Sequence, residues 1–295
     1  MEIIFLNLNN IITPGYSLSI TIGAFDGIHK GHLALVEYLI KGKDNDKTAV
    51  FTFDIHPDFL LSKTDTQGMI NPIHEKAKIF ENLNIDYLYI LPREILPLTA
   101  NQFHEILKKL NVRRIVVGRD FIYGAKKSGN INTLKQSFNV DVIDDIKYHN
   151  ERISSTNIRK FLSLGKIDEI KHLLISDFDI VGKVIEGSHI GEKLGFRTAN
   201  IDVDEKYHKL MSGVYKVKVI IDDEIYLGVA NYGVNPTCNL LTKPRLEVHI
   251  LDFKKEIYNK EIKVIFDKFI RNEINFNSKE ELINQIQKDI IFAKE

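Results

Sequence analysis

The feature that most constrains the fold is a change of sequence period near residue 178. Up to about residue 175, short apolar runs alternate with segments of helical apolar spacing, a pattern typical of βα units that build a mainly parallel sheet. Further on, apolar and polar residues alternate one by one, as they do in antiparallel strands. The 295 residues therefore predict two domains, at residues 1–177 and 178–295, each long enough to bury its own core.

A Rossmann-like α/β fold with a parallel sheet is predicted for the first domain. Helical apolar spacing follows the first strand, and Thr99 with Gln102 predicts a capping box for a later helix. Strands are expected at residues 17–23, 48–53, 87–91, 114–118 and 140–143, and helices near residues 73–83, 100–110 and 156–174.

An antiparallel barrel or sandwich is predicted for the second domain. Residues 215–221 and 245–251 alternate between apolar and polar side chains, and the pair Asp222–Asp223 can turn the chain between two strands. Ser278, with a glutamate three residues on, predicts the start of a closing helix that runs to about residue 290.

Charge and cysteine content restrict the setting of the protein. Forty basic and forty acidic residues cancel, so no overall charge points to nucleic acid, a membrane surface or a polyanionic partner. The single cysteine, Cys238, excludes an intramolecular disulfide and favours the cytoplasm. No signal peptide and no apolar stretch near the roughly 18 residues of a membrane span are apparent. We expect small-molecule partners and a monomer or weak homo-oligomer.

A glycine-rich segment with two histidines joins the first strand to the first helix, at the sheet edge where parallel folds bind ligands. Gly23, Gly27 and Gly31 permit tight turns and close approach of a phosphate to free helix amides. His29 and His32 lie three apart, so both can donate hydrogen bonds to a phosphate whose charge grows in the transition state. The alternatives are histidines that only cap or pack, and a zinc site, which lacks further ligands of recognisable spacing.

The segment resembles the G-x-F-D-G-x-H-x-G-H signature of bacterial FAD synthetases in the bifunctional riboflavin kinase/FMN adenylyltransferase family. Three further motifs follow in the family's order. Residues 52–57 resemble T-F-x-P-H-P, residues 117–124 resemble V-G-x-D-F-x-F-G, and residues 152–159 resemble R-x-S-S-T-x-I-R. The departures are Ile55 for the first proline, Tyr123 for the second phenylalanine, and Ala24 where many members carry asparagine.

This resemblance implies that the N-terminal domain transfers AMP from ATP to FMN, which gives FAD and pyrophosphate, with His29 and His32 as the catalytic residues. Hydroxyls and free amides at the helix start near Ser155 can hold the triphosphate, and Arg159 can neutralise pyrophosphate. An ordinary helix cap is the alternative for these hydroxyls. Asp120 can contact ribose or a metal-bound phosphate. The ATP-binding residues predicted here are Gly23, Phe25, Asp26, Gly27, Gly31, Asp120, Arg152, Ser154, Ser155, Thr156 and Arg159.

The second domain resembles riboflavin kinase, whose stretch G-x-V-x-x-G-x-x-x-G-R-x-L-G-x-P-T-A-N matches residues 182–200 with two departures. The resemblance implies an antiparallel barrel that phosphorylates riboflavin to FMN, with Glu247 as the general base for the 5′-hydroxyl. A solvated glutamate is the alternative. Thr198 and Asn200 offer oxygen ligands for Mg²⁺. The predicted ATP- and flavin-binding residues are Gly182, Gly187, Gly195, Thr198, Asn200, Asn231 and Arg271.

The two departures concern the loop that presents the magnesium ligands. Arg197 replaces the proline before Thr-Ala-Asn, and Glu192 replaces an arginine. Proline fixes φ, so its loss frees the loop. Kinase activity at a reduced or altered level is the expectation. The alternatives are an FAD synthetase with an impaired kinase domain and a non-catalytic flavin-binding regulator.

Overall fold

The computed structural model describes residues 1–57, 68–187, 195–233 and 244–295. The chain divides into two compact units, Met1–Ser155 and Thr156–Glu295. The division falls in the first turn of a helix, upstream of the change of sequence period at residue 178. Cys238 and the departure at Glu192 lie outside the described residues.

The first unit contains a six-stranded parallel sheet in the order β1-β4-β3-β2-β5-β8. The strands of its described part are β1 Glu2–Phe5, β2 Leu18–Ile22, β3 Lys47–Thr52, β4 Tyr87–Ile90, β5 Val112–Gly118, β6 Ile122–Tyr123, β7 Gly129–Asn130, β8 Asn139–Ile143, β9 Lys147–Tyr148 and β10 Glu151–Arg152. Its helices are α1 Lys30–Lys41, α2 Ile73–Asn82, α3 Ala100–Lys109 and α4 Ile131–Lys135.

The predicted parallel sheet is confirmed, and its five predicted strands correspond to β2, β3, β4, β5 and β8. β2 is buried at every position, as expected of a strand that helices cover on both faces. The capping box at the start of α3 is also confirmed, because Thr99 and Gln102 exchange both hydrogen bonds. β1 was not predicted. It lies at the edge of the sheet and has a mostly exposed pattern, so it carries no buried apolar run.

The second unit contains a closed antiparallel barrel in the order β11-β12-β15-β14-β13-β16. The barrel alternative is therefore correct. The elements of its described part are α5 Ser155–Ser163, α6 Ile167–Leu173, β11 Asp179–Ile185, β12 Ala199–Val203, β13 Gly213–Ile221, β14 Glu224–Gly233, β15 Arg245–Ile250, β16 Glu261–Arg271 and α7 Lys279–Lys294.

One predicted helix is wrong, because the structure has two helices in its place. The stretch expected to be a single helix at residues 156–174 is α5 followed by α6. Gly165 separates them with a φ of +66°, the left-handed conformation that commonly ends helices. Apolar spacing continues across this break, so the period alone did not reveal it.

The turn and the closing helix of the barrel follow the prediction. Asp222 and Asp223 have φ values of 49° and 66° between β13 and β14, which matches the two positive φ angles of a type I′ hairpin turn. The Ser278 side chain accepts a hydrogen bond from the Glu281 amide at the start of α7, which ends at Lys294 rather than near residue 290. Within the described residues, no helix is both long and apolar enough to cross a membrane.

Candidate active sites

The two histidines of the first unit are stacked at the start of α1. Their ring centroids lie 3.7 Å apart with an interplanar angle of 14°. His29 is the N-cap residue, and its Nδ1 accepts a hydrogen bond from the His32 amide at 3.2 Å. Because Nδ1 is the acceptor, neutral His29 carries its proton on Nε2. The cap therefore leaves a ring donor free for another acceptor.

Both histidines are held in the neutral form. Burial and, to a smaller extent, the positive charge of Arg152 lower the pKa of His29 to about 4. The pKa of His32 is lowered well below its usual range. Burial is the main cause, and electrostatic interactions with His29 and Lys76 act in the same direction. Within the described residues, Nδ1 of His32 is buried without a hydrogen-bond partner. An unsatisfied buried nitrogen at this edge of the sheet fits a site that awaits a ligand.

The turn before the histidines depends on close packing and positive φ angles. Phe25 is fully buried with a φ of 46°, and its ring packs 4.9 Å from the His32 ring. Gly27 has a φ of +59°, and a Cβ on it would lie 2.7 Å from Cδ1 of Ile70. A Cβ on Gly31 would lie 3.1 Å from ring atoms of His29. These residues shape the turn, which gives the glycine-rich pattern a physical reason.

Asp26 anchors the same turn from within. It is fully buried, and Oδ1 accepts hydrogen bonds from the amides of Ile70 at 2.7 Å and Asn71 at 3.3 Å. Asn71 in turn accepts from the Ile28 amide through Oδ1 at 3.1 Å. The Asp26 carbonyl oxygen accepts a hydrogen bond from the Ser155 hydroxyl at 2.6 Å. The structure thus places the Asp26 side chain beneath the turn rather than on its surface.

Asp120 and Arg152 form a bidentate ion pair. Nη1 and Nη2 of Arg152 lie 2.6 and 2.8 Å from the two carboxylate oxygens of Asp120, and Nε lies 3.1 Å from Asp145. The hydrogen bonds from Arg152 lower the pKa of Asp120. Both members are partly exposed, so each can exchange this partner for a ligand. Ser154 directly precedes α5, and Thr156 and Arg159 lie on α5 in the second unit.

In the second unit, strand register brings the predicted kinase residues into one row. Asn200 pairs with Glu247, and Glu247 pairs with Asn231 on the next strand. Asn231 pairs with Val214, which pairs with Arg271. Residues directly opposite each other in antiparallel strands point to the same face. The row therefore runs across five strands of the barrel on one face.

This row lines a cavity of about 480 Å³, a size typical of small-molecule sites. Thr198 lies in the same wall, and the alternation predicted for β15 is confirmed because Leu246 and Val248 are buried while Glu247 faces the cavity. Further walls come from the segment after β16 and from α7. Among the described residues, the cavity is also lined by several that were not predicted as site residues, including Arg245, His249, Glu273, Phe276, Leu282, Ile286 and Asp289.

Two of the predicted glycines keep the barrel strands close. A Cβ on Gly182 would lie 2.5 Å from the carbonyl oxygen of Asp202. A Cβ on Gly187 would lie 1.9 Å from Nδ2 of Asn200. Gly187 therefore makes room for a side chain of the cavity. Gly195 has a φ of +86° and open space around it, so it serves backbone conformation rather than packing.

Arg197, the departure from the family's proline, is held by other contacts. Its carbonyl oxygen lies 2.7 Å from Nδ1 of His249. Its Nη2 lies 3.5 Å from the carboxylate of Glu256. This contact holds the backbone at Arg197 itself, where proline would have fixed φ.

Asp289 is the cavity residue with the clearest missed signal in the sequence. It is buried on α7 and accepts hydrogen bonds from Arg271. It lies three residues after Ile286 and seven after Leu282, on the apolar stripe of the helix. A carboxylate on a buried stripe needs a partner, so this position could have been singled out.

Known proteins match the chain over both units. The family model described as FAD synthetase matches residues 14–157, and the one described as riboflavin kinase matches residues 174–295. A bifunctional riboflavin kinase/FMN adenylyltransferase of Buchnera aphidicola is 36% identical over 97% of this chain and 96% of its own length. The enzyme of the same name from Listeria monocytogenes is 36% identical over 91% of this chain and 88% of its own. The chain belongs to the bifunctional riboflavin kinase/FMN adenylyltransferase family.

The family assignment gives the chain two activities in flavin cofactor biosynthesis, riboflavin kinase and FMN adenylyltransferase. Because both family models match, the comparisons give no support to an enzyme with one activity. A crystal structure described as a macrolide-efflux protein from Streptococcus pneumoniae is 30% identical, covers 100% of this chain and 99% of its own, and has a TM-score of 0.90. That description applies to the other protein.

Proposed function

We propose that the stacked histidines carry adenylyl transfer and that the barrel cavity carries riboflavin phosphorylation. The observation that supports this division best is that each unit holds its own polar cluster. His29 and His32 stack at the ligand-binding edge of a parallel sheet. Asn200, Glu247, Asn231 and Arg271 line one cavity of the barrel.

In adenylyl transfer, an oxygen of the FMN phosphate attacks the α-phosphorus of ATP, and the bond to the β-phosphate breaks to release pyrophosphate. We assign to His29 and His32 the stabilisation of the negative charge that develops at the α-phosphate. A ring donor near a growing negative charge acts mainly in the transition state. No covalent enzyme intermediate is needed.

Other residues of the first unit would hold the nucleotide or the turn. Gly23 and Gly31 allow the phosphates to approach the start of α1. Arg152 would exchange Asp120 for a phosphate, since a guanidinium binds both in the same bidentate manner. We assign Phe25, Asp26 and Gly27 to the shape of the turn. The roles predicted for Ser154, Ser155, Thr156 and Arg159 in binding the triphosphate stay predictions.

In the kinase step, the 5′-hydroxyl of riboflavin attacks the γ-phosphorus of ATP, the β–γ bridge breaks, and ADP leaves. We assign to Glu247 the role of general base that accepts the proton of that hydroxyl. Glu247 lies between Asn200 and Asn231, which puts its carboxylate on the cavity wall. Arg271 supplies positive charge to the same cavity. Gly182, Gly187 and Gly195 shape the surrounding strands and loop.

The oxygen donors of this cavity suit magnesium. Thr198 and Asn200 offer a hydroxyl and an amide oxygen, and Oδ1 of Asn231 is buried without a partner among the described residues. Magnesium usually takes few protein ligands and completes its shell with water and phosphate oxygens. When bound, the ion neutralises charge on the phosphates. We propose Thr198 and Asn200 as its protein ligands.

The cellular setting is part of the same proposal. One cysteine in 295 residues and a net formal charge of zero fit a cytoplasmic enzyme with small-molecule substrates and no nucleic-acid partner. We retain the monomer or weak homo-oligomer as the expected state. The change of period near residue 178 supports the boundary between the two catalytic domains at residue 177.

Flavin chromatography tests whether the two reactions take place at separate sites. The full chain is incubated with Mg-ATP and either riboflavin or FMN, and the products are separated. His29→Asn should accumulate FMN from riboflavin and make little FAD. Glu247→Gln should make FAD from FMN but no FMN from riboflavin. Loss of both activities in a folded variant would contradict separate sites.

A further inference from the structure

Lys76 is a buried cation at the ligand-binding edge of the parallel sheet. It lies on α2, and its side chain is fully buried. Its Nζ donates to the carbonyl oxygens of Ala24 at 2.8 Å and Phe53 at 3.3 Å. Lysine is rarely buried to this degree, because removing its charge from water is costly. Because Lys76 lies beside the candidate active site, a role in that site would account for this cost.

The hydrogen bonds of Lys76 fix the start of the histidine turn. The Ala24 carbonyl oxygen also accepts a hydrogen bond from the Thr52 hydroxyl at 2.9 Å. Ala24 directly precedes Phe25, the residue with a φ of 46°. Ala24 and Phe53 lie just past the ends of β2 and β3. Lys76 therefore joins the two central strands at the point where the turn begins.

The charge of Lys76 acts on His32. Burial is the main cause that lowers the pKa of His32, and electrostatic interactions with His29, Lys76 and Arg152 lower it further. A hydrogen bond with the Gly27 backbone acts in the opposite direction. These groups belong to the turn itself, to α2 and to β10. A fixed cation here also favours the negative charge of a bound triphosphate and of the transition state.

We propose that Lys76 is a positioning residue for adenylyl transfer, which holds the Ala24 carbonyl and supplies a fixed positive charge that acts on His32. The proposal rests on the assignment of this reaction to the histidine pair. It separates two contributions, hydrogen bonding and charge, because the charge can be removed while hydrogen-bond donors are kept.

Three lysine variants of the full chain make this separation. Lys76→Gln keeps amide donors for the two carbonyls and removes the charge, whereas Lys76→Arg keeps both. Lys78→Gln is the matched control, because Lys78 lies on the same helix with a side chain that is 60% exposed and bound to Glu75 at 3.0 Å. FAD formation from FMN gives kcat and KM, and riboflavin phosphorylation by the same preparation reports on the second unit.

Lys76→Gln should lower kcat for FAD formation about tenfold or more while KM for FMN changes by less than about twofold, since the lost charge acts on the transition state. Lys76→Arg should recover most of kcat, and Lys78→Gln should match the wild type. NMR titration should show a raised pKa for His32 in Lys76→Gln. A kcat within about twofold of the wild type in Lys76→Gln would overturn the proposal, since hydrogen bonds would then suffice.

His29→Asn, assayed in parallel, distinguishes this failure from failure of the underlying assignment. If His29→Asn retains full FAD formation, the histidine pair is not the adenylyl-transfer site, and Lys76 loses its proposed role with it. If His29→Asn loses FAD formation and Lys76→Gln does not, only the proposal for Lys76 fails.

Discussion

Asp289 on the last helix holds Arg271 at the wall of the barrel cavity by a bidentate ion pair. Nη2 of Arg271 lies 2.7 Å from Oδ2 of Asp289, and Nε lies 3.0 Å from Oδ1. Gln285 donates to the same carboxylate at 2.9 Å. The closing helix therefore fixes the position of a cation in the proposed kinase site, in addition to covering the barrel.

Replacement of this carboxylate should impair the kinase reaction selectively. In Asp289→Asn a guanidinium that is largely buried loses its charge partner, a change that costs about 3–5 kcal/mol in comparable buried pairs. We expect riboflavin phosphorylation to fall at least about tenfold and the barrel to unfold at a lower temperature. Glu280→Gln, on the exposed first turn of the same helix, is the control. Unchanged phosphorylation in Asp289→Asn would show that Arg271 needs no such support.

The substitution His29→Asn separates the helix-capping role of His29 from its proposed catalytic role. Asparagine is a good N-cap residue, so His29→Asn should keep the hydrogen bond to the His32 amide and the stability of α1. It lacks the imidazole, so FAD formation should fall by roughly 10²–10³, the usual effect of removing one such donor. His29→Ala should lose activity and about 1 kcal/mol of stability as well. Equal FAD formation by His29→Asn and the wild type would show that His29 serves only as the N-cap of α1.

Buried neutral histidine should make stability depend on pH in a defined window. The pKa of His29 is lowered from 6.5 to about 4 in the folded chain. As pH falls through 6.5, the unfolded chain binds a proton that the folded chain takes up only near pH 4. The free energy of unfolding should therefore decrease between these values, by on the order of 3 kcal/mol for this group. Denaturant titrations at several pH values measure the decrease.

The variant that lacks the His29 imidazole provides the control for this pH effect. His29→Asn should show a smaller decrease in unfolding free energy over the same window, because one of the buried imidazoles is absent. His32 should still contribute in the same direction, since burial lowers its pKa too. Identical pH dependence in the variant and the wild type would mean that His29 is not protonated differently on unfolding.

Gly31→Ala tests whether the position of the His29 ring matters. Alanine favours helices by about 1 kcal/mol over glycine, so α1 itself should not be weakened. Its Cβ would lie 3.1 Å from the His29 ring, which must shift to make room. We expect lower FAD formation without lower stability. Gly15→Ala is the matched control, because a Cβ there has no heavy atom within 4 Å. Unchanged activity in Gly31→Ala would show that the ring tolerates displacement.

The sequence was informative where its pattern reflects burial. The fully buried β2 and the alternation around Glu247 were both predicted, because period and apolar content report which face is packed. The break at Gly165 was missed, because the apolar spacing of α5 continues into α6. The edge strand β1 was missed because it buries little.

Side-chain partners were harder to predict than elements. Lys76 and Asp289 are charged residues on the apolar faces of α2 and α7, and both are buried next to a candidate site. Their position on the stripe is visible in the sequence, but their partners come from distant strands. Asp120 shows the same limit, because its pairing with Arg152 depends on a hairpin 32 residues further along the chain. Only the fold brings such residues together.

Gly187→Ala should report on the proposed magnesium ligand Asn200. A Cβ at Gly187 would lie 1.9 Å from Nδ2 of Asn200, so the amide must leave its place on the cavity wall. If Asn200 binds the ion, the Mg²⁺ concentration needed for half-maximal riboflavin phosphorylation should rise about tenfold or more, as expected from loss of one hard oxygen ligand. FAD formation from FMN, assayed over the same magnesium concentrations, should match the wild type, because Gly187 lies in the second unit. Asn200→Asp should shift the same kinase requirement without the steric change. If neither variant changes the magnesium requirement of the kinase, Asn200 is not a ligand, and the retained FAD formation shows that the chain is otherwise intact.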